Sequence, residues 1–587
     1  MKKGIATVSL SGLLADKLTA IAAAGFDGLE LFDNDLVASP LSPREVASRC
    51  ADLGLTIDLF QPVRDVEGVP PDRFDAVRHR FRAKLAVMAD LGATTVLCCS
   101  NVGADTVDDP DLSAAQLHAL GDLAADQGVT IAFEALAWGR HVNRVGQSWD
   151  VVRRADHPAV TLAVDTFHLL SRGDDGAALA GVPGDRIGFL QVADAPLLDM
   201  DVLEWSRHFR CFPGEGTLDV AGVVAATLAA GYTGPVSLEV FSDVVREADP
   251  TLTARDAMRS LVFLEDQLGD SAAPPAPAAV DPAFLEIPGS PAVPPLLTAL
   301  GFALAGRHRT KPVTWWRNGD AHVVVNDGSG ADPALGVVAS PVAGVAERAK
   351  ALLWPAVDRT RGSGEALLPG ITSPSGLHVF VSDRAGEDDH WQGDFEALSS
   401  PPEGGLLGID HLVVAVPDLR LNEEVSFLRT LLALEAGTAE EFMEPHGRLR
   451  SRAFRPASGA LRIVVNVEES ERSAASGITQ VAFAAADVRA AVRALRAAGV
   501  PLMAVPDNYY VDLDARFALP PEMLADLREH GLLYDRAGDG ELLHAFTAPL
   551  PTGFHVELLE RRGGYDGYGS AGTHVRLAMQ RSGKTRA

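Results

Sequence analysis

The sequence predicts an α/β fold in which an N-terminal (β/α)8 TIM barrel is followed by an α+β domain. Before residue 270, short β-branched runs flanked by Gly or Pro alternate with Ala- and Leu-rich helical stretches. Such alternation is typical of a parallel sheet whose strands are buried on both faces. Eight of these units in about 250 residues is the usual size of a closed barrel. An Ala/Pro-rich segment then ends this alternation of strands and helices, and a repeating pattern of strand, helix and several strands follows.

Glycines mark the ends of the predicted barrel helices. Helices are predicted over 14–24, 74–91 and 114–127, and Gly25, Gly92 and Gly128 follow them, where helix C-caps are expected. An open doubly wound sheet is the alternative, but it would carry a Gly-rich phosphate loop after its first strand, which this sequence lacks. The predicted strands are Gly4–Val8, Gly28–Leu31, Thr56–Phe60, Thr94–Cys98, Val129–Glu134, Val160–Asp165, Arg186–Val192 and Val236–Val240.

The segment 270–282 is rich in Ala and Pro and has no periodicity, so it is predicted to be a semi-rigid linker. The barrel is therefore assigned to 1–269, and the later domain to two halves, 283–400 and 401–587. Each half contains two copies of a βαβββ module, at 284–326, 335–382, 408–467 and 477–561. The third and fourth copies align around His411 and Gln480. Modules of this kind pair their sheets into a cupped cavity.

Composition excludes several classes of protein. At 587 residues the chain is too long for one core. Its net charge of −28 argues against nucleic acid or an anionic membrane as a partner. The four cysteines include an adjacent pair and no CxxC motif, which favours a reduced compartment over a disulfide framework or a zinc ribbon. With no signal peptide or apolar span in the sequence, we expect a cytoplasmic protein.

Four metal-binding side chains lie at the ends of four successive predicted strands: Glu134, Asp165, Gln191 and Glu239. In a closed barrel, the carboxyl ends of neighbouring strands meet at one mouth. Four such residues at four adjacent strand ends therefore predict one metal site. Oxygen ligands favour a hard divalent ion such as Mg or Mn, with Co or Zn as substitutes.

Candidates for proton transfer and anion binding accompany these ligands. His168 follows Asp165 by three residues and is the natural general base. Arg64, after the third strand, and Arg210, in a long insertion before the last strand, can each bind a carboxylate. Taken singly, such residues are more often capping histidines or surface ion-pair partners. Together with the four strand-end ligands they indicate enolate chemistry at a metal-polarised ketone.

The N-terminal part resembles the xylose isomerase-like, sugar phosphate isomerase/epimerase superfamily. More closely, the whole chain is similar to the family of bacterial 3-dehydroshikimate dehydratases that carry a 4-hydroxyphenylpyruvate dioxygenase-like domain. Gln rather than His at 191 separates this family from many sugar isomerases of the superfamily. The matching segments are Gln61–Gly68, Phe133–His141, Val164–His168, Leu190–Asp194, Ser206–Gly214 and Leu238–Val240.

The resemblance implies conversion of 3-dehydroshikimate, a small-molecule substrate, to protocatechuate and water, either in quinate and shikimate catabolism or in the biosynthesis of a protocatechuate-containing product. One divalent metal (Mg, Mn or Co) on the four strand-end ligands would bind the ketone and its neighbouring hydroxyl. His168 would remove the proton between them, and the β-hydroxyl would leave. Arg64, Arg210 and Ser206 would hold the substrate carboxylate and hydroxyls.

The later domain resembles the vicinal oxygen chelate fold of 4-hydroxyphenylpyruvate dioxygenase, in which two His and one Glu bind Fe(II). These positions fall on His411, Gln480 and Glu557. Because Gln replaces the second His, and an amide oxygen is a harder, poorer iron ligand, we expect a vestigial site or one holding a second divalent ion such as Mg. We expect a domain that stabilises the barrel or forms a homo-oligomer.

Three alternatives stay open on the sequence. A metal-dependent sugar or sugar-phosphate isomerase could use the same barrel, but it would favour a phosphate-binding cluster or a Lys near the ion, and neither is evident in the sequence. A bifunctional or regulatory protein could bind an aromatic acid in its C-terminal cavity. A purely structural scaffold would leave the four convergent ligands unexplained.

Overall fold

A computed structural model describes residues 1–271, 273–328, 332–386, 390–398, 404–444, 447–469, 477–550, 553–582 and 585–586. The chain divides into two compact units, Met1–Ala272 and Ala273–Ala587. Within the described residues, no helix combines the length and apolar character needed to cross a bilayer. The four cysteines are buried and are not joined in disulfides.

The first unit is a closed barrel of eight parallel strands in sequence order, which confirms the predicted fold class. Its closure is direct, because β1 pairs in parallel with both β2 and β8. The observed bounds differ from the predicted strands by a few residues at most. The strands are β1 Lys3–Ala6, β2 Gly28–Phe32, β3 Thr56–Val63, β4 Thr95–Cys99, β5 Thr130–Glu134, β6 Val160–Asp165, β7 Ile187–Val192 and β8 Val236–Leu238.

Helices follow the strands around the barrel. Gly25 and Gly92 end α1 and α4 in the left-handed conformation, with φ of 88° and 70°, as expected for C-caps. α5 begins four residues before the predicted start, because Asp109 caps it and Pro110 occupies its first position. The helices are α1 Leu14–Ala24, α2 Asp33–Val37, α3 Pro43–Asp52, α4 Phe74–Leu91, α5 Pro110–Ala125, α6 Val145–Ala155, α7 Thr166–Ser171, α8 Val202–His208, α9 Val220–Ala229, α10 Asp243–Glu247 and α11 Pro250–Gln267.

The interior of the barrel is a packed apolar layer rather than a channel. Seven buried side chains contributed mainly by the consecutive strands β3 to β7 form it, and Phe189 of β7 is the largest of them. The members are Leu59, Leu97, Cys99, Ala132, Leu136, Ala163 and Phe189. This layer provides a rigid base beneath the carboxyl ends of the strands.

The second unit begins with a curled eight-stranded sheet in the order β14-β15-β13-β9-β12-β11-β10-β16. Its first strand starts at Asp281, inside the predicted linker, because Val280 and Asp281 bond to the backbone of Ser458, Leu461 and Ala460. The linker prediction is therefore two residues too long. The elements are β9 Asp281–Pro288, α12 Val293–Ala299, β10 Ala303–His308, β11 Val313–Asn318, β12 Ala321–Asn326, β13 Ala334–Val338, α13 Val342–Ala351, β14 Gly370–Thr372, β15 His378–Ser382 and β16 Phe395–Ala397.

A second eight-stranded sheet has the order β18-β19-β20-β17-β21-β25-β24-β23, and a short ribbon pairs β22 with β26. The elements are β17 Leu406–Ala415, α14 Leu421–Leu432, β18 Leu434–Glu444, β19 Gly447–Pro456, β20 Ile463–Glu469, β21 Gly477–Ala485, α15 Val488–Ala497, β22 Leu502–Met503, α16 Asp507–Phe517, α17 Pro521–His530, β23 Leu533–Ala537, β24 Gly540–Phe546, β25 His555–Arg562, α18 Thr573–Ser582 and β26 Thr585–Arg586.

The two sheets share one plan, which fits the predicted βαβββ repetition. In each sheet the two central strands are antiparallel: β9 pairs with β13, and β17 pairs with β21. Each central strand also pairs in parallel with a later strand of its own module, β9 with β12, β13 with β15, β17 with β20 and β21 with β25. After the predicted end of the second copy at 382, β16 crosses the sheet and pairs with β10 of the first copy. The fourth copy contains two inserted helices, α16 and α17. The predicted boundary between the halves, at 400 and 401, lies outside the described residues.

We expect Phe189→Ala to lower the free energy of unfolding of the barrel by about 3–5 kcal/mol, because it opens a cavity in a layer that cannot collapse. Chemical denaturation followed by circular dichroism measures this change. Leu13→Ala is the control, since Leu13 is 71% exposed, and it should change the free energy by about 0.5 kcal/mol or less. A loss below about 1 kcal/mol for Phe189→Ala would contradict a rigid interior layer.

Candidate active site

The four predicted metal ligands all lie at the carboxyl end of the barrel. Glu134 and Asp165 are the last residues of β5 and β6, Gln191 is in β7 opposite Asp165, and Glu239 directly follows β8. None is more than 5% exposed. Their gathering follows from topology, because parallel neighbouring strands end at the same rim.

Two of these predicted ligands, Glu134 and Asp165, form a candidate metal site together with His168. Ligand atoms of Glu134, Asp165 and His168 lie within 4.8 Å of one another. Glu134 Oε1 and Gln191 Oε1 are buried and accept no hydrogen bond from the described residues. Buried oxygens without a donor are costly unless a cation satisfies them, so the residues fit a hard divalent ion.

Electrostatics support the same conclusion. Burial, together with the charges of Asp165 and Glu239, raises the pKa of Glu134 well above its usual value. Burial also raises the pKa of Glu239, against the effect of Arg210. Burial alone would raise the pKa of Asp165, but the charges and hydrogen bonds of Arg210 and His168 hold it below its usual value. Three carboxylates in one buried space need more positive charge than the protein supplies.

His168 lies in the first turn of α7, whose N-cap is Asp165: the Asp165 carboxylate accepts a hydrogen bond from the His168 backbone N–H at 2.9 Å. The Ala137 N–H donates to His168 Nδ1 at 3.2 Å. His168 Nε2 therefore faces the cluster, 3.9 Å from Glu134 Oε1 and 4.0 Å from Asp165 Oδ2. Burial lowers the pKa of His168 to about 3, with Arg210 and Arg64 acting in the same direction and Asp165 opposing them.

Arg210 is fully buried and is committed to the predicted ligands. Its Nη1 donates to Asp165 Oδ2 at 2.9 Å and to Glu239 Oε2 at 3.3 Å, and its Nε and Nη2 donate to Ser206 Oγ. The guanidinium also stacks 4.5 Å from the centre of the Phe167 ring. The structure thus brings Arg210 and Ser206 into the site, and Arg210 neutralises carboxylates there.

Arg64 follows β3 and is half-buried. Its backbone carbonyl accepts a hydrogen bond from Arg80 Nη2, which fixes the loop. Among the described residues, no carboxylate forms an ion pair with its side chain. Its charge nevertheless acts on the pKa values of His168, Cys99 and Glu239. Arg64 is therefore a cation near the cluster with free donors.

The predicted insertion between β7 and β8 is held over the barrel mouth by Asp194. The Asp194 carboxylate accepts hydrogen bonds from the backbone N–H groups of Gly214, Gly216 and Leu218. Its backbone pairs with that of Cys211, with N···O distances of 2.8 and 2.9 Å. This anchor places Arg210 and Ser206 next to Asp165.

Sequence reasoning missed two residues of the site, Glu30 and Gln61. Gln191 Nε2 donates to Glu30 Oε2 at 2.7 Å, and Gln61 Nε2 donates to Glu30 Oε2 at 3.1 Å and to Glu239 Oε1 at 2.9 Å. Because a carboxylate accepts from amide N–H groups, Glu30 fixes Gln191 with its Oε1 turned away, toward the site. The available signal was a carboxylate in the middle of an apolar strand, Gly28-Leu-Glu-Leu31.

The C-terminal trio of His411, Gln480 and Glu557 is also buried. His411 Nε2 lies 3.4 Å from Glu557 Oε2, and His544 Nδ1 lies 2.7 Å from Glu557 Oε1. Gln480 donates its amide N–H to Glu557, and its Oε1 faces His555 Nε2 at 3.0 Å. Gln480 therefore presents no oxygen beside Glu557, and a second ion at these three residues stays a prediction. The adjacent cavity is only about 40 Å³.

Hydrogen bonds satisfy this C-terminal cluster internally. Burial alone would raise the pKa of Glu557, but His411 and His544 lower it to about 2. Asp410 contacts His411 Nδ1 at 2.9 Å and is itself held by Arg561. The cluster is a closed polar network in this structure, so its residues do not fit an open iron site.

Comparisons with known proteins agree with this architecture. Residues 18–264 match the model for the xylose isomerase-like TIM barrel, and residues 408–523 match that for the glyoxalase/bleomycin resistance protein/dioxygenase superfamily. A solved xylose isomerase-like TIM barrel/4-hydroxyphenylpyruvate dioxygenase fusion protein is 40% identical, with a TM-score of 0.89 over 99% of both chains. Fold and site thus define a barrel with a candidate metal site, joined to a dioxygenase-like domain.

Relatives that match along the whole chain identify the family within this class of proteins. The 3-dehydroshikimate dehydratase of Pseudomonas putida is 42% identical over 100% of this chain and 99% of its own, and that of Pseudomonas aeruginosa is 43% identical over 98% of both. A 4-hydroxyphenylpyruvate dioxygenase of Pseudomonas aeruginosa is 29% identical over 46% of this chain. The chain belongs to the 3-dehydroshikimate dehydratase family, which confirms the predicted resemblance.

We expect Glu30→Gln to weaken Mn²⁺ binding about 10- to 100-fold, because a neutral amide oxygen is a weaker acceptor than the carboxylate that orients the Gln191 amide. Titration calorimetry of the metal-stripped protein measures this. The double variant Glu30→Gln with Gln191→Glu restores a donor–acceptor pair with the roles exchanged, and it should recover much of the affinity.

Glu67→Gln is the matched control for that experiment. Glu67 is also buried, but it binds Asn101 and Ser113 instead of a predicted ligand. It should leave the Mn²⁺ affinity nearly unchanged. Wild-type affinity in Glu30→Gln would show that Glu30 does not orient Gln191.

Proposed function

We propose that the barrel converts 3-dehydroshikimate to protocatechuate and water. The observation that carries this proposal is the full-length identity of 42–43% to proteins named 3-dehydroshikimate dehydratase. The buried site is consistent with it, because carboxylates, a histidine and arginines lie together at the barrel mouth. This combination suits proton removal next to a ketone in an anionic substrate.

Glu134, Asp165, Gln191 and Glu239 would hold one divalent ion, Mg, Mn or Co. Glu134 Oε1 and Gln191 Oε1, which have no hydrogen-bond partner among the described residues, support this assignment. An ion bound there supplies Lewis acidity toward a carbonyl oxygen. The protein contributes the shape of the site, since Glu30 and Gln61 hold Gln191 and Glu239 in fixed positions.

His168 would take the proton from the carbon beside the ketone at Nε2, the nitrogen that faces the cluster. A neutral imidazole carries one proton, so Nδ1 must hold it when Nε2 accepts. The contacts of the Ala137 N–H with Nδ1 and of Arg210 Nη2 with Nε2, each at 3.2 Å, would then have to open on substrate binding. The proton can return to the departing β-hydroxyl, which leaves as water, and a final tautomerisation gives the aromatic ring.

Arg64 is the residue that we assign to the substrate carboxylate. Arg210 already donates to Asp165, Glu239 and Ser206, whereas Arg64 has free donors near the cluster. A chain with a net charge of −28 needs such a local cation to attract an anion. Ser206 Oγ, beside Arg210, is placed to contact a substrate hydroxyl.

The isomerase alternative finds less support. It would favour a lysine near the ion, and among the described residues no lysine contacts the four strand-end side chains. For the second unit we propose a stabilising role without dioxygenase chemistry, since Glu557 is closed off by His411, His544 and Gln480.

Metal-stripped protein should not form protocatechuate from 3-dehydroshikimate, and adding Mg, Mn or Co singly should restore the reaction, followed by protocatechuate absorbance. Glu134→Ala should lower the metal-restored rate about a thousandfold or more, because it removes a ligand from a charge-stabilising site. Glu247→Ala, at an exposed carboxylate ending α10, is the control. Protein that binds the ion but forms no product with any metal would refute the dehydratase function.

Arg64→Gln should raise the KM for 3-dehydroshikimate about 10- to 100-fold with a smaller change in kcat, because a charge-assisted hydrogen bond to the carboxylate is lost in both bound states. Steady-state kinetics separate the two parameters. Arg73→Gln, at an exposed arginine in the turn before α4, should match the wild type. An unchanged KM in Arg64→Gln would assign the carboxylate to another residue.

A further inference from the structure

The first sheet of the second unit contains a cavity that belongs to neither site described above. Its volume is about 380 Å³, within the range of small-molecule pockets and far larger than the cavity beside Glu557. It lies against β9, β11, β12 and β15 and is lined by residues of all four strands.

Aromatic rings form much of the wall. Phe284, Phe380, Trp391 and Phe395 line the cavity, and the ring centres of Phe284 and Trp391 are 4.8 Å apart. Gly336 leaves room for this arrangement, because a Cβ there would lie 2.3 Å from the Phe284 ring. Walls of this kind suit a flat ring.

One cation at the cavity is available to a ligand. The Arg359 guanidinium is half-buried, stacks 5.1 Å from the Phe380 ring centre and donates to the Leu368 carbonyl at 3.2 Å. Within the part of the chain that the structure describes, no carboxylate forms an ion pair with it. Lys311, by contrast, is paired with Glu365 at 2.7 Å. Arg359 thus keeps free donors suited to a carboxylate.

A second polar group, Glu286, lies on β9 and also lines the cavity. Its Oε1 accepts a hydrogen bond from Asn326 Nδ2 at 2.7 Å. Burial raises the pKa of Glu286, and the charge of Arg359 acts against that rise. Glu286 can therefore pair with a ligand hydroxyl.

We propose that this cavity binds a small hydroxylated aromatic carboxylate, with its carboxylate on Arg359, its ring against Phe284 and Phe380, and its hydroxyl at Glu286. The residues that line the cavity define this class of ligand, so the proposed ligand does not depend on the reaction of the barrel. The chain would then hold two separate sites for small organic acids, one in each unit.

Titration calorimetry on the full chain with 4-hydroxybenzoate tests the proposal. The Glu134→Ala protein that also carries Arg64→Gln, stripped of metal, is the background, because it lacks a predicted metal ligand and the cation that we assign to the substrate carboxylate in the barrel. This protein should still bind the probe at one site. Adding Arg359→Gln should weaken that binding about tenfold or more. Arg307→Gln, at an exposed cation of β10 that does not line the cavity, should leave it unchanged.

A second variant keeps the test decisive if Arg359→Gln fails to fold, as judged by circular dichroism. Glu286→Gln should reduce the preference for 4-hydroxybenzoate over benzoate while leaving the affinity for benzoate nearly unchanged. Binding that is absent from the background that carries Glu134→Ala and Arg64→Gln, or that neither cavity variant alters, would overturn the proposal.

Discussion

The accumulation of negative charge in a buried space is the constraint on which the barrel site depends. Glu134, Asp165 and Glu239 lie at one rim with almost no exposure to water. Burial and mutual repulsion raise the pKa values of Glu134 and Glu239. Arg210, held by Ser206 and Phe167, offsets part of this charge. Asp194 anchors the inserted loop, and the anchored loop places Arg210 beside these carboxylates.

Neutral amides complete the arrangement without adding charge. The Gln61 amide donates hydrogen bonds to both Glu30 and Glu239. The Gln191 amide donates to Glu30 and turns its oxygen toward the site. A histidine at 191 could also donate to Glu30, but it would turn a nitrogen toward the candidate metal site. Glutamine turns an oxygen instead, which keeps the ligand set hard. The orientation of that oxygen is set by a carboxylate on the far side of the barrel.

The sequence predicted the features that depend on local pattern and on a general rule of topology. Strand runs and helix caps located the barrel, and the common rim of parallel strands placed the four predicted ligands at one end of it. It could not predict Glu30 or Gln61, because their partners are far away in sequence, Gln191 being 161 residues from Glu30. Nor could it show that Arg210 binds carboxylates of the site while Arg64 keeps free donors, since both appeared only as cations near the mouth. The orientation of the Gln480 amide likewise depends on Glu557 and His555, two contacts made across strands.

The two sheets of the second unit repeat one plan, but one of them encloses a closed polar cluster and the other an open cavity. His411 lies opposite Ala482 and Val413 lies opposite Gln480, as expected if β17 and β21 are equivalent strands related by a two-fold axis. The second sheet buries a carboxylate on β25, and three donors, from His411, His544 and Gln480, close around it, so little cavity remains. The cavity of the first sheet is lined by Phe284, Phe380 and Trp391 and by two cations, of which Lys311 is paired with Glu365 and Arg359 has no carboxylate partner among the described residues. Aromatic walls cannot close around a charge by hydrogen bonding, and the space beside Arg359 therefore stays open.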